Sequence, residues 1–187
     1  MSRTHVLLIA LAGFGAPGCL YGIDDFGTGY SGRGETALQV QESALDGEAG
    51  AVALDEPTAA RVFEAARYGD IVDIEIRARG RGGVLMQRYS IEGFDRLTPG
   101  DELVVDGATP YVGIGTDAEP EANVSAVGCS GPRDDEWEFD QMADEVTLQV
   151  EEGPEPDTLR LNFTARFDSY YAADAQTVQG SVVVAID

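Results

Sequence analysis

The sequence predicts a mainly β fold: an antiparallel β-sandwich or flattened barrel of about eight or nine strands with one short helix. Three observations carry this expectation. Apolar and polar residues alternate in segment after segment, most clearly at Glu145–Glu151, Leu159–Phe167 and Val178–Ile186. Glycine, proline and aspartate mark turns between these segments at intervals of about ten residues. Helical spacing occurs in one stretch, around residue 60. Even alternation implies one buried and one wet face, which argues against a parallel sheet covered by helices. A closed up-and-down barrel with an interior cavity is the alternative architecture.

The elements follow in order. Thr36, Leu38 and Val40 alternate with Ala37, Gln39 and Gln41, so the first strand is expected to start near Glu35. Ala51–Leu54 reads as a short strand that Asp55-Glu56-Pro57 ends, with the acids and the proline placed to open a helix. Ala59, Val62, Phe63 and Ala66 then fall at i, i+3, i+4 and i+7, one apolar helical stripe that Gly69 would close. Val72, Ile74 and Ile76 alternate with Asp73, Glu75 and Arg77, and Arg79–Gly83 turns the chain into a returning strand, Val84–Ile91. A Pro-Gly turn precedes the short strand ending at Val105, and a further short strand at Tyr111–Thr116, a polar loop at Ala118–Asn123 and an apolar segment Val124–Cys129 are expected to follow. Along Leu159–Phe167, five apolar side chains share one face while Arg160, Asn162, Thr164 and Arg166 share the other. That face is expected to lie at the centre of the core.

The amino-terminal stretch has a different character. Arg3 precedes an apolar run from Val6 to Phe14, and Ala16-Pro17-Gly18 leads into Cys19. The run is far shorter than the roughly 20 residues that span a bilayer, so residues 1–18 are expected to be a secretory leader that is removed. Residues 19–34, rich in glycine, are expected to be a flexible tether with a reach of roughly 20 Å, leaving 35–187 as a single β domain. Small residues running directly into a cysteine resemble the lipobox of bacterial lipoprotein precursors, over residues 1–19 only, with Ala16 where that family usually has leucine. The resemblance implies that Cys19 is lipidated and holds the protein to a membrane of the cell envelope, the outer membrane in particular. The alternative is an ordinary secreted or periplasmic protein.

Charge and residue content narrow the chemistry. The chain has 34 acidic and 12 basic residues, a formal net charge of −22. All the basic residues are arginine, and without Arg3 the mature balance is 11 minus 34, or −23. Nucleic acid is therefore not an expected partner. The one histidine, His5, lies in the leader and lysine is absent. A mature chain of this kind has no Ser-His-Asp or Cys-His arrangement, no histidine zinc site and no Schiff-base lysine. No catalytic residue and no cofactor is assigned. A carboxylate-based enzyme resembling a glycoside hydrolase remains as an alternative.

Three clusters invite a site. Asp134, Asp135, Glu136, Glu138 and Asp140, interleaved with Trp137 and Phe139, are weak candidates for calcium, as in a calcium-dependent surface adhesion module. They lack the spacing of an EF-hand loop, and an edge strand with its acids in water explains them more simply, so no metal is assigned. Arg77, Arg79, Arg81 and Arg88 surround the glycine turn and offer charge to an anionic ligand, although pairing with nearby carboxylates is the plainer expectation. Cys129 is a free, buried thiol if Cys19 is lipidated; if it is not, the two can form a disulfide in an oxidising compartment. The functional expectation is an exported, lipid-anchored cell-envelope protein with a non-catalytic binding or structural role, its protein or glycan partner left open.

Overall fold

A computed structural model describes residues 35–106, 122–168 and 174–186. The expected leader, the tether, the strand at 111–116 and most of the loop before Asn123 lie outside the described residues. Those residues form twelve strands: β1 (Glu35–Ala37), β2 (Val40–Ala49), β3 (Val52–Ala59), β4 (Arg61–Tyr68), β5 (Ile71–Gly80), β6 (Gly83–Glu92), β7 (Glu102–Asp106), β8 (Asn123–Gly131), β9 (Phe139–Met142), β10 (Glu145–Glu152), β11 (Thr158–Phe167) and β12 (Gln176–Ala185). They divide into two antiparallel sheets of six. Sheet I has the order β1-β4-β5-β6-β8-β9 and sheet II the order β3-β2-β12-β11-β10-β7. Each sheet has two ends, so the fold is a sandwich and not a closed barrel. At one corner the sheets touch through backbone, where Ala53 and Arg81 exchange N–H···O bonds of 3.0 and 2.8 Å.

Alternation decides what lies between the sheets. Ile74 and Ile76 of β5 and Leu85, Tyr89 and Ile91 of β6 face Leu148 of β10, Leu161, Phe163 and Phe167 of β11, and Val182 of β12 in one hydrophobic cluster. Tyr89 stacks flat on Phe163, with ring centroids 3.8 Å apart, and Phe139 meets Phe167 edge-on at 5.7 Å. The inward face expected for Leu159–Phe167 is the inward face of β11, and that strand lies inside sheet II between β10 and β12. Two glycines make room for large neighbours. A β-carbon at Gly180 would overlap the Tyr89 hydroxyl, and one at Gly128 would overlap the Phe167 ring and the Gln87 amide. The Gln87 amide and the Tyr89 hydroxyl are buried in this layer without a protein hydrogen-bond partner, and burial pushes the Tyr89 phenol upward from its ordinary pKa.

The helix expected over Ala59–Ala66 is not formed. Its residues are instead the end of β3 and most of β4, and among the described residues the helical structure is one short 3-10 turn, Phe94–Arg96. The physical reason is a bulge. Val62 pairs with Ile76 and Glu64 with Glu75, so β4 carries one extra residue at Phe63 and its inward positions fall at Val62 and Ala65. Three-residue spacing across a bulge imitates a helical stripe. Pro57, expected in a first helical turn, lies in β3 at the end of sheet II. There Asp55, Glu56 and Pro57 bulge between Leu54 and Thr58, which pair with Gly47 and Leu45, and no ladder N–H is required of the proline. The strand number exceeds the expected eight or nine partly because β1 and β2 are separate strands in different sheets and because β4 replaces the helix.

Candidate functional site

The outer face of sheet I concentrates the unusual chemistry. Alternation on β5 sends Asp73, Glu75, Arg77 and Arg79 outward, and on β6 it does the same for Arg88 and Ser90. Register then sets Glu75 opposite Arg88, and Arg61 of β4 opposite Arg77. Glu75 is buried, with both of its oxygens engaged. Its Oε1 accepts from Arg77 Nε at 2.8 Å and Nη2 at 2.6 Å, and its Oε2 accepts from Arg88 Nη2 at 2.6 Å. A carboxylate holding two guanidinium groups in this way is a charge-assisted, geometrically fixed pairing. The side chains of Arg77 and Arg88 are 18% and 17% exposed, so all three charges are largely removed from water.

Arg77 also ties neighbouring elements together. Its Nη1 donates to the Asp134 carbonyl at 3.2 Å, and its guanidinium carbon lies 3.7 Å from the Phe63 ring centroid and 5.3 Å from that of Trp137. Arg61 approaches the same Phe63 ring at 4.9 Å. The result is a ladder of cations and rings that runs from β4 across β5 to the β8–β9 turn. Phe63 stays 43% exposed because the bulge turns it out of the core.

Two carboxyls near Arg88 are held above their ordinary range. Burial raises the Asp73 pKa, opposed by a hydrogen bond from Ser90 and by the charge of Arg88, and burial likewise raises Asp140 against the attraction of Arg88. A raised native carboxyl binds its proton at a pH where the unfolded chain has already released it. Its contribution to stability is therefore full below the ordinary value of 3.8 and is lost as pH rises through the higher native value. Asp73→Asn, which keeps a polar group beside Ser90, should accordingly raise the melting temperature at neutral pH and leave it nearly unchanged near pH 3. A lower neutral melting temperature in thermal scans would mean that attraction to Arg88 outweighs burial.

The structure distributes the residues singled out in the sequence. Asp134, Asp135 and Glu136 lie exposed on the β8–β9 turn, Glu138 is exposed, and Asp140 points outward from β9, an end strand of sheet I. Among the described residues, no three acidic or sulfur side chains are gathered so as to hold a metal ion. The arginine cluster separates: Arg77 and Arg88 share Glu75, Arg81 pairs with Asp55 at 3.5 Å, and Arg79 stands exposed on β5. Cys129 is buried and disulfide-bonded, not a free thiol. Cys19 lies outside the described residues. The helical stripe expected through Phe63 gives no sign that Phe63 and Arg61 meet; the bulge that unites them leaves no separate mark in the sequence. No protein-family model, no curated protein and no solved structure matches the chain.

Proposed function

We propose that the chain is an exported cell-envelope protein whose β-sandwich has a non-catalytic binding or structural role. The observation that carries this reading is the disulfide at Cys129. Cytosolic thiols are kept reduced, whereas a disulfide persists in the oxidising space reached through a secretory leader of the kind residues 1–18 resemble. The interior supports the non-catalytic part, because facing side chains of both sheets form one buried hydrophobic cluster, with Tyr89 lying directly on Phe163. The most buried carboxylate of the outer face, Glu75, already has both oxygens engaged by arginine.

The anchor has two versions. A Cys19 lipidated as the lipobox resemblance implies carries a diacylglyceryl group through a thioether, and that sulfur cannot also join an S–S bond. The chain has two cysteines, so an intrachain disulfide at Cys129 and lipidation at Cys19 exclude one another in the same molecule. The disulfide favours the secreted or periplasmic version over the membrane-anchored one. Cell fractionation with thiol alkylation and intact-mass measurement separates them. The unanchored version is expected in the soluble envelope or medium fraction, with no alkylation before reduction and two alkylated cysteines after it. The anchored version would partition with membranes, gain acyl mass and become soluble on Cys19→Ser, since each buried CH₂ contributes about 0.8 kcal/mol of membrane affinity. An uncut chain in the cytoplasm with two reactive thiols would overturn the export reading.

A further inference from the structure

We infer that the exposed end of the cation–aromatic ladder on sheet I is a binding site for a carboxylated saccharide, a glycan that presents an acid group beside the apolar face of a sugar ring. The inference rests on the binding role proposed above and gives it a surface and a ligand class. In a chain with 34 acidic and 12 basic residues, an arginine should find a carboxylate wherever it lies. Six of the described arginines do: Arg67, Arg77, Arg81, Arg88, Arg160 and Arg166 are ion-paired. Arg96 is also engaged. Among the described residues, Arg61, Arg79 and Arg133 have no ion pair, and all three belong to the same surface. Arg61 is the register partner of Arg77, Arg79 follows two residues later on the same outward face, and Arg133 opens the turn that Arg77 holds through the Asp134 carbonyl.

The surroundings point to the ligand. A free guanidinium offers paired N–H donors that match a carboxylate, and Arg61, 4.9 Å from the exposed Phe63 ring, holds such a group against apolar surface, with half-buried Trp137 on the other side of Arg77. Sugar rings present C–H faces to such aromatic surface and carry their acid group at the rim. Dense polyanions are disfavoured. Asp134, Asp135 and Glu136 stand exposed on the same turn, and a net charge of −22 repels a nucleic acid, a sulfated chain or an anionic bilayer as a whole. A short saccharide that carries a single uronate meets the arginines with far less of that repulsion.

The test is a calorimetric titration of the purified, disulfide-intact protein with a xylose oligomer that bears a single glucuronate unit, with the same oligomer lacking the uronate and with inorganic phosphate. Saturable binding is expected for the uronate-bearing oligomer alone, weakening as salt is raised. The double variant Arg79→Gln/Arg133→Gln, changed at exposed positions and checked for an unaltered melting temperature, should bind at least about tenfold more weakly, the loss of one good charge-assisted contact. Phe63→Ala should weaken binding without altering its salt dependence. Absence of binding at low salt, wild-type affinity in the double variant, or full displacement by phosphate would each overturn the assignment. Export is decided separately by fractionation and thiol state, so a failed titration leaves that reading intact.

Discussion

Phe163→Ala is expected to lower the stability of the fold by about 3 to 5 kcal/mol, through lost transfer energy and the cavity left behind. Phe163 is 2% exposed at the middle of β11, its ring stacked on Tyr89 of the opposite sheet. The neighbours cannot fill the space. Its register partner on β12 is Gly180, which has no side chain to move inward, and its partner on β10, Leu148, is already fully buried. Arg160→Ala on the other face of the same strand should cost well under about 1 kcal/mol, because Arg160 makes a partly solvated pair with Glu42 at 3.2 Å. Denaturant unfolding of both variants tests burial and register together. Equal losses, or a larger loss at Arg160, would mean that the two faces of β11 do not carry these energies.

How far the sequence disclosed this architecture depended on whether a strand kept its phase. β11 and β5 were legible because their inward apolar residues hold an unbroken period of two, β6 keeps that period with Gln87 as its one polar inward residue, and glycines at 80, 82 and 83 announce the turn between the hairpin strands. β4 was not, because the extra residue at Phe63 shifts its phase and leaves Val62 and Ala65 three apart, the spacing of a helix. Pairing with β5 over its whole length then outweighs the modest helical preference of an alanine-rich segment. The candidate site was legible only in pieces. Arg77 stood out beside its glycine turn, but Phe63, Arg77 and Trp137 converge through a sheet order in which β7 is absent between β6 and β8. Strand order of that kind is set by long-range packing and leaves no local pattern. The state of Cys129 was open in the sequence because two chemically sound fates for Cys19 give opposite answers.

Glu75→Ala is expected to cost about 3 to 5 kcal/mol, the range found when one member of a buried ionic group is removed and the others are left uncompensated. Glu75 is 4% exposed and holds both Arg77 and Arg88 at 2.6 Å. Without it, two guanidinium groups remain beneath the surface, and the Nε of Arg88 already lacks a partner. The loss should also spread sideways. Arg77 is fixed by Glu75 while it supports Phe63 and the β8–β9 turn, so freeing it should loosen Trp137, whose fluorescence reports the change independently of unfolding. The cost belongs to the broken pairing more than to the absence of charge. Replacing Glu75, Arg77 and Arg88 together by methionine should therefore recover most of the stability lost by Glu75→Ala, since apolar side chains of similar volume commonly equal or exceed a buried ionic triad. Equilibrium unfolding of the two variants decides the point: a loss below about 1 kcal/mol for Glu75→Ala would place the triad among solvent-screened surface pairs, and a triple variant weaker than the single one would show that the ionic triad itself stabilises sheet I.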